Sequence, residues 1–209
     1  MSIVDELAAH LAGELGDAEA ARLLAEFLRD DALAWRAPTI APARIHSIFA
    51  FTFGNRMQEN GNREPGPVNE ALAEAAVSLH RATGAPIFAQ WEIAAAIGAR
   101  AAPVAAIYPG RDERAEPVYL STGGVVEEIA RLGAEGPVGV VAFADHLHRA
   151  VMTSRRHGFD AYAPEGMAMP AAYDPESGQP WCRNRAAYLL HDIMIRVTER
   201  RAELIHSAP

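Results

Sequence analysis

The sequence predicts an α/β protein: a Rossmann-like three-layer sandwich with a mostly parallel sheet, preceded by an N-terminal helical appendage. Three observations carry this. From residue 45 onward short apolar runs alternate with helical patterns. The first of those runs, IHSIFAFTF, is β-branched and aromatic, as a strand buried on both faces is. Val138–Ala150 (VGVVAFADHLHRA) passes from a buried strand through Asp145 into a helix start, with His146, His148 and Arg149 at its mouth. Open α/β sheets build ligand sites in this way.

The elements follow in order. Ile3, Val4, Leu7, Leu11 and Leu15 fall at helical spacing, so residues 2–15 form an amphipathic helix. Gly16-Asp17 reads as a stop and a new N-cap. A second helix covers 18–28, with Leu23, Leu24, Phe27 and Leu28 on its apolar side. Pro38 and Pro42 mark an extended connector. The strand at 45–53 leads into GNRMQENGNREPGP, a polar loop longer than most βα connections, and such loops are usually functional or mobile. Pro67 opens a helix that ends near Gly84. Further strands are expected at 85–90, 103–108 and 138–143, with short ones at 118–120 and 159–162. Further helices are expected at 93–99, 124–132 and 148–157. RDERAEP is a solvated loop, and a Gly/Pro/Met segment runs to Pro180. Arg185–Leu204 is a last helix with Leu189, Ile193, Val197 and Leu204 as its core stripe. The division expected is 1–43 for the appendage and 44–209 for the sheet domain.

Bulk properties narrow the function classes. The 209 residues suffice for one large domain with an appendage, and half are apolar. A formal charge of −8 disfavours a nucleic-acid surface. Arg149, Arg155, Arg156 and His157 are the one dense basic cluster. Cys182 is the single cysteine, so no intrachain disulfide forms and a reducing compartment is expected. The first residues lack the basic and apolar regions of a signal peptide, and no stretch is long and apolar enough to span a bilayer. The expectation is a soluble cytoplasmic protein.

Four segments leaving strand ends carry chemistry. Gly54-Asn55-Arg56 combines a turn, a donor–acceptor amide and an anion-pairing cation, although a plain tight turn uses the same residues. Gln90-Trp91-Glu92 offers a stacking ring between two hydrogen-bonding groups; alternatively Trp91 covers the sheet edge and Glu92 caps a helix. Ser121-Thr122-Gly123-Gly124 can present helix amides to an anion, or serve as an ordinary N-cap. In Asp145–Arg149, His146 suits acid–base work near neutral pH, and Arg149 lies three residues on, on the same helical face. No P-loop, GxSxG elbow, GxGxxG fingerprint or zinc pattern occurs, so no metal is assigned. Cys182 reads as structural rather than as a catalytic thiol.

At these residues the chain resembles the YdcF-like group of the DUF218 family, which includes the SanA and ElyC envelope proteins. VVAFADHLHRAVMTSRRHGFD is similar to the family's strand, His-x-x-Arg-Ala and helix ending in Gly, which carries over His146, Arg149 and Ala150. IFAFTFGN resembles its first strand and glycine turn at Gly54. LSTGGVVEEIARL resembles a divergent Ser-x-x-Thr-x-Glu-Asn segment, with Ser121 and Glu127 aligned. Gln90-Trp91-Glu92 stands where the family has Ser-Gly-Gly, and the second Thr and the Asn of the third motif are missing. The resemblance implies a Rossmann-like fold with a polar pocket. Family members have been linked to S-adenosylmethionine binding and to envelope or lipid-carrier metabolism.

These readings converge on a small-molecule enzyme acting on an anionic or nucleotide-like substrate. His146 and Glu92 would be the acid–base groups, Arg149 the anion clamp, and no cofactor is required. The competing reading is a non-catalytic binder of a nucleoside such as S-adenosylmethionine. Trp91 would stack on its base, and Glu92 or Asp145 would hold its hydroxyls or amino group. The apolar faces of the first two helices also allow a homodimer, packing on the sheet being the alternative.

Overall fold

The computed structural model describes residues 1–98, 103–111 and 117–207; Ala99 and most of the RDERAEP loop lie outside them. The chain divides into two compact units, Arg36–Leu189 and a helical one of Met1–Trp35 with the chain from Leu190 onward.

The larger unit holds a six-stranded parallel sheet. Its strands are β1 (Thr39–Ile40), β2 (Ser47–Ala50), β5 (Ile87–Gln90), β6 (Val104–Ile107), β9 (Val138–Val141) and β10 (Ala161–Pro164), ordered β1-β10-β9-β2-β5-β6. Short antiparallel hairpins lie outside it: β3 (Arg56–Met57) with β4 (Arg63–Glu64), and β7 (Gly110–Arg111) with β8 (Pro117–Val118). From β2 the chain winds outward through α3 (Gly66–Thr83), β5, α4 (Trp91–Ile97) and β6. It then crosses back through α5 (Thr122–Arg131) to place β9 on the other side of β2, and continues through α6 (Leu147–Arg156) to β10. The direction of winding reverses between β2 and β9, and doubly wound sheets bind ligands in the crevice beyond such strand ends.

Alternation along the strands fills both layers. Ile48, Ala50, Ile87 and Ala89 pack with Leu72, Ala76 and Ile93 of α3 and α4. Phe49, Phe51, Val138 and Val140 pack with Val125, Ile129, Ala150 and Val151 of α5 and α6. Ala50 is in register with both Ala89 and Val141, so β2, β5 and β9 end at one level. The residues that follow them, including Thr52–Asn55, Glu92 and Asp145-His146, therefore form one rim.

The sheet class is as expected, and several elements differ in detail. The Pro38–Pro42 connector contains β1, whose two residues are enough to pair with β10. The polar loop after β2 folds as the β3–β4 hairpin. The last helix, α7 (Arg185–Ser207), lies within the expected 44–209 domain, yet from Leu190 it belongs to the helical unit. Its Arg196 explains why. The guanidinium pairs with Asp192, lies 4.4 Å from the Trp35 ring centroid and donates to the carbonyls of Asp31 and Ala34. The buried stripe of α7 is accordingly Tyr188, Asp192 and Arg196, one residue back from the apolar stripe expected, and Val197 and Leu204 are exposed. In α1 (Ile3–Leu15) and α2 (Ala18–Phe27) the fully buried residues are Val4, Ala21 and Ala25, while Leu23 and Leu24 face out.

Candidate functional site

The turn after β2 is shaped by one buried amide. Asn69, on α3, accepts from Phe53 N (2.9 Å) and from the Thr52 hydroxyl (2.7 Å), and donates to the carbonyls of Gly54 (2.8 Å) and Pro65 (2.7 Å). Gln90 accepts from Thr52 N at 2.9 Å and ties the same turn to β5. Gly54 has φ +70°, and a Cβ there would fall on the Ser177 hydroxyl. Glycine is therefore required on two counts.

Held this way, Asn55 points its Nδ2 at the Tyr119 hydroxyl, 3.0 Å away. Tyr119 in turn donates to Glu92 Oε1. Glu92 sits in the first turn of α4 at 0% exposure, and its Oε2 has no hydrogen-bond partner among the described residues. Burial pushes its carboxyl up from the usual 4.5 to about 7; its own backbone N–H, the Arg63 charge and the Thr52 hydroxyl oppose the rise without cancelling it. Above this chain opens a cleft of about 290 Å³ lined by Asn55, Met57, Arg63, Tyr119, Gln179 and Trp181. The Arg63 guanidinium lies 5.2 Å from the Tyr119 ring centroid. The cleft thus has Tyr119 in its wall, with its hydroxyl bonded to a neutral-range carboxyl behind it, an arrangement suited to giving and taking protons near pH 7.

His146 and Arg149 come together at the β2–β9 switch point, one step deeper. His146 precedes α6 at 5% exposure, with the rings of Phe51 and Tyr188 edge-on at 6.2 and 6.4 Å. Arg149, 8% exposed, donates to Thr122 Oγ1 (2.8 Å) and reaches the Tyr188 hydroxyl at 3.4 Å. Phe53 joins this cluster to the Gly54 turn through its contacts with Tyr188 and Phe143.

The other expected site residues serve the fold. Arg56 is bound by Asp174 in a two-point pair (2.9 and 3.0 Å) and by Glu176 (2.9 Å), so its charge is met by the protein's own carboxylates. The guanidinium beside it holds the Asp174 carboxyl below its ordinary value. Asp145 accepts from the Tyr173 hydroxyl and from two nitrogens of Arg185. Ser121 caps α5, accepting from Gly124 N at 3.1 Å, and Gly123 packs against His157. Trp91 is half-buried and lines a separate space of about 10 Å³, so the ring expected to stack on a ligand has no room for one there. Burial pushes the Cys182 thiol up to about 12, which leaves it protonated and fits the structural reading.

Tyr119, Arg63, Trp181 and Tyr188 were not anticipated. Arg63 sat in the polar loop already marked as notable. Tyr119 follows the solvated RDERAEP segment, where no periodicity pointed inward. A larger groove of about 740 Å³ lies between α3 and Met167–Pro175, but Arg56 and Asp174 at its edge are bonded to each other. Among the described residues no group of three or more His, Cys, Asp or Glu is placed to hold a metal ion, and no helix is long and apolar enough to cross a membrane.

Fold and site together define a doubly wound parallel α/β protein with a polar cleft at the carboxyl rim of its sheet. No protein-family model matches the chain, and no curated protein or solved structure is similar enough to count as a match.

Proposed function

We propose that this protein is a small-molecule enzyme that uses general acid–base catalysis in the rim cleft. The observation that carries the proposal is the Asn55–Tyr119–Glu92 chain, in which a fully buried carboxyl with a pKa of about 7 bonds to a hydroxyl in the cleft wall. Tyr119 is the group that contacts the substrate. Glu92 takes up or supplies the proton behind it, and Asn55 orients the phenol. His146, expected to be the acid–base group, is enclosed by aromatic rings. In this reading it and Arg149 support the rim from beneath, Arg149 holding Thr122 at the start of α5. Kinship with YdcF-like proteins is part of the proposal, supported by β9, His146, Arg149 and Ala150 at the head of α6, and Gly158 after its end.

The binding-only alternative has less behind it. The groups expected to hold S-adenosylmethionine do not share a cavity: Trp91 faces its own small space, and Asp145 is engaged by Tyr173 and Arg185.

The test is conversion rather than binding. Wild-type protein, Glu92→Gln and Tyr119→Phe are incubated with a mixed pool of polar metabolites, and the pool is read by mass spectrometry. The expected result is at least one compound converted by wild type and spared by both variants. A pool unchanged by wild type, or conversion that survives Glu92→Gln, rejects the reading.

A further inference from the structure

We infer that the rim cleft selects a planar molecule bearing a single negative charge, a carboxylate in the simplest case, and that Arg63 holds that charge. The inference rests on the acid–base reading of Tyr119 and Glu92 and names the substrate class for that site.

The β3–β4 hairpin carries two arginines with different surroundings. Arg56, on β3, is met by Asp174 and Glu176. Arg63, on β4, has no carboxylate partner among the described residues and lies over the Tyr119 ring. A guanidinium oriented on an aromatic face keeps its N–H fork available, and that fork matches a carboxylate in two-point fashion. Among the described residues the rest of the cleft wall is neutral: Asn55, Met57, Tyr119, Gly178, Gln179 and Trp181. One cation in a neutral wall calls for one negative charge. Trp181, 40% exposed, gives the cleft an aromatic side, which suits a flat ligand lying along it. A volume of about 290 Å³ is at the low end of small-molecule sites, which favours a single ring with its acidic group over a nucleotide.

Arg63 also acts on Glu92. Among the described residues, the titratable groups that act on the Glu92 carboxyl are Arg63 from β4 and Tyr119 from the segment before α5, with the neutral Thr52 from the turn after β2. Arg63 favours the ionised carboxylate. An anion seated on Arg63 cancels that influence, so ligand binding favours the protonated acid. Affinity therefore falls as pH rises through neutrality, by at most about tenfold per pH unit for one linked proton.

The experiment is calorimetric titration of the full chain with benzoate and with its neutral isostere benzamide, at pH 6, 7 and 8. Benzoate is expected to bind with an affinity that declines toward pH 8, and benzamide at least tenfold more weakly. Arg63→Gln is expected to bring benzoate down to the benzamide level. Glu92→Gln is expected to keep benzoate binding at pH 6 and to flatten the decline. The inference is overturned if benzoate gives no saturable heat, if benzamide equals it, or if Arg63→Gln leaves it unchanged. If Arg63→Gln abolishes the preference while the pH decline persists in Glu92→Gln, the anion site stands and the reading of Glu92 fails.

Discussion

Replacing Glu92 with glutamine is expected to change how stability depends on pH, and the size of the change follows from the structure. The carboxyl is fully buried, one oxygen bonded to Tyr119 and the other without a partner among the described residues. Its pKa is raised from 4.5 to about 7, chiefly by burial. For an acid raised on folding, the native state holds its proton more tightly than the unfolded chain does. Stability is therefore undiminished below about pH 4.5, declines as pH rises from there to about 7, and is flat beyond. With these two values the penalty is about 1 kcal/mol at pH 5 and about 3 kcal/mol at pH 8. Glutamine keeps the shape and the acceptor for Tyr119 and cannot ionise, so its profile lacks this decline. The assay is urea unfolding of both proteins at half-unit steps from pH 5 to 8.5, followed by tryptophan fluorescence. The variant is expected to gain about 2–3 kcal/mol on wild type between pH 5 and 8. The other carboxyl and imidazole groups titrate alike in both chains and cancel. Parallel profiles would show that Glu92 ionises as an ordinary surface acid does, and the acid–base role built on it would fall with that result.

Asn69→Ala removes four hydrogen bonds and strands the Phe53 N–H in the interior, so urea denaturation is expected to show a loss of about 3 kcal/mol. Gly54→Ala meets both the positive φ and the Ser177 hydroxyl; a loss of about 2 kcal/mol is expected, part of it recovered when Ser177→Ala is added. Arg196→Ala leaves the Asp192 carboxylate at 0% exposure without its facing guanidinium and uncaps the Asp31 and Ala34 carbonyls. That variant is expected to lose about 3–5 kcal/mol, with a much smaller loss in Asp192→Leu/Arg196→Met. Asp174→Asn opens the pair with the one-third-exposed Arg56 and is expected to cost at most about 1 kcal/mol. Because folding lowers the Asp174 pKa, that contribution is present above about pH 4 and fades on acidification, so the two melting curves are expected to converge in acid.

What the sequence disclosed is governed by range. The strands at 47–50, 87–90 and 138–141 were legible because burial on both faces leaves a continuous apolar run, and a run is local. The reversal between β2 and β9 was not legible, because the order of elements along the chain fixes their alternation and not the order of strands in the sheet. Helix faces were less legible where contact geometry overrode hydrophobicity. Burial in α2 takes Ala21 and Ala25 and leaves Leu23 outside, and α7 buries an ion pair because Arg196 finds carbonyls some 160 residues away at the end of the helical turn after α2. No periodicity carries that information.

The site shows the same limit in chemical form. His146 drew attention because its intrinsic pKa lies near neutrality, and Glu92 because it followed a strand. In the proposed reading Glu92 takes precedence, because folding acts on the environment rather than on the residue. Burial withdraws the imidazole beside the rings of Phe51 and Tyr188, whereas the carboxyl is desolvated yet bonded to the phenol of a tyrosine that lines the cleft. The phenol is the residue hardest to foresee, since Tyr119 stands beside a charged surface loop and owes its position to Asn55 and Glu92, 64 and 27 residues away. A mutation in this relay is therefore expected to act through its partners. Asn55→Ala removes the bond to the Tyr119 hydroxyl and frees that ring to turn, and should lower turnover and shift its pH profile while unfolding free energy stays within about 1 kcal/mol of wild type. An equal loss of stability and turnover would make Asn55 a structural residue and leave the phenol without an orienting group.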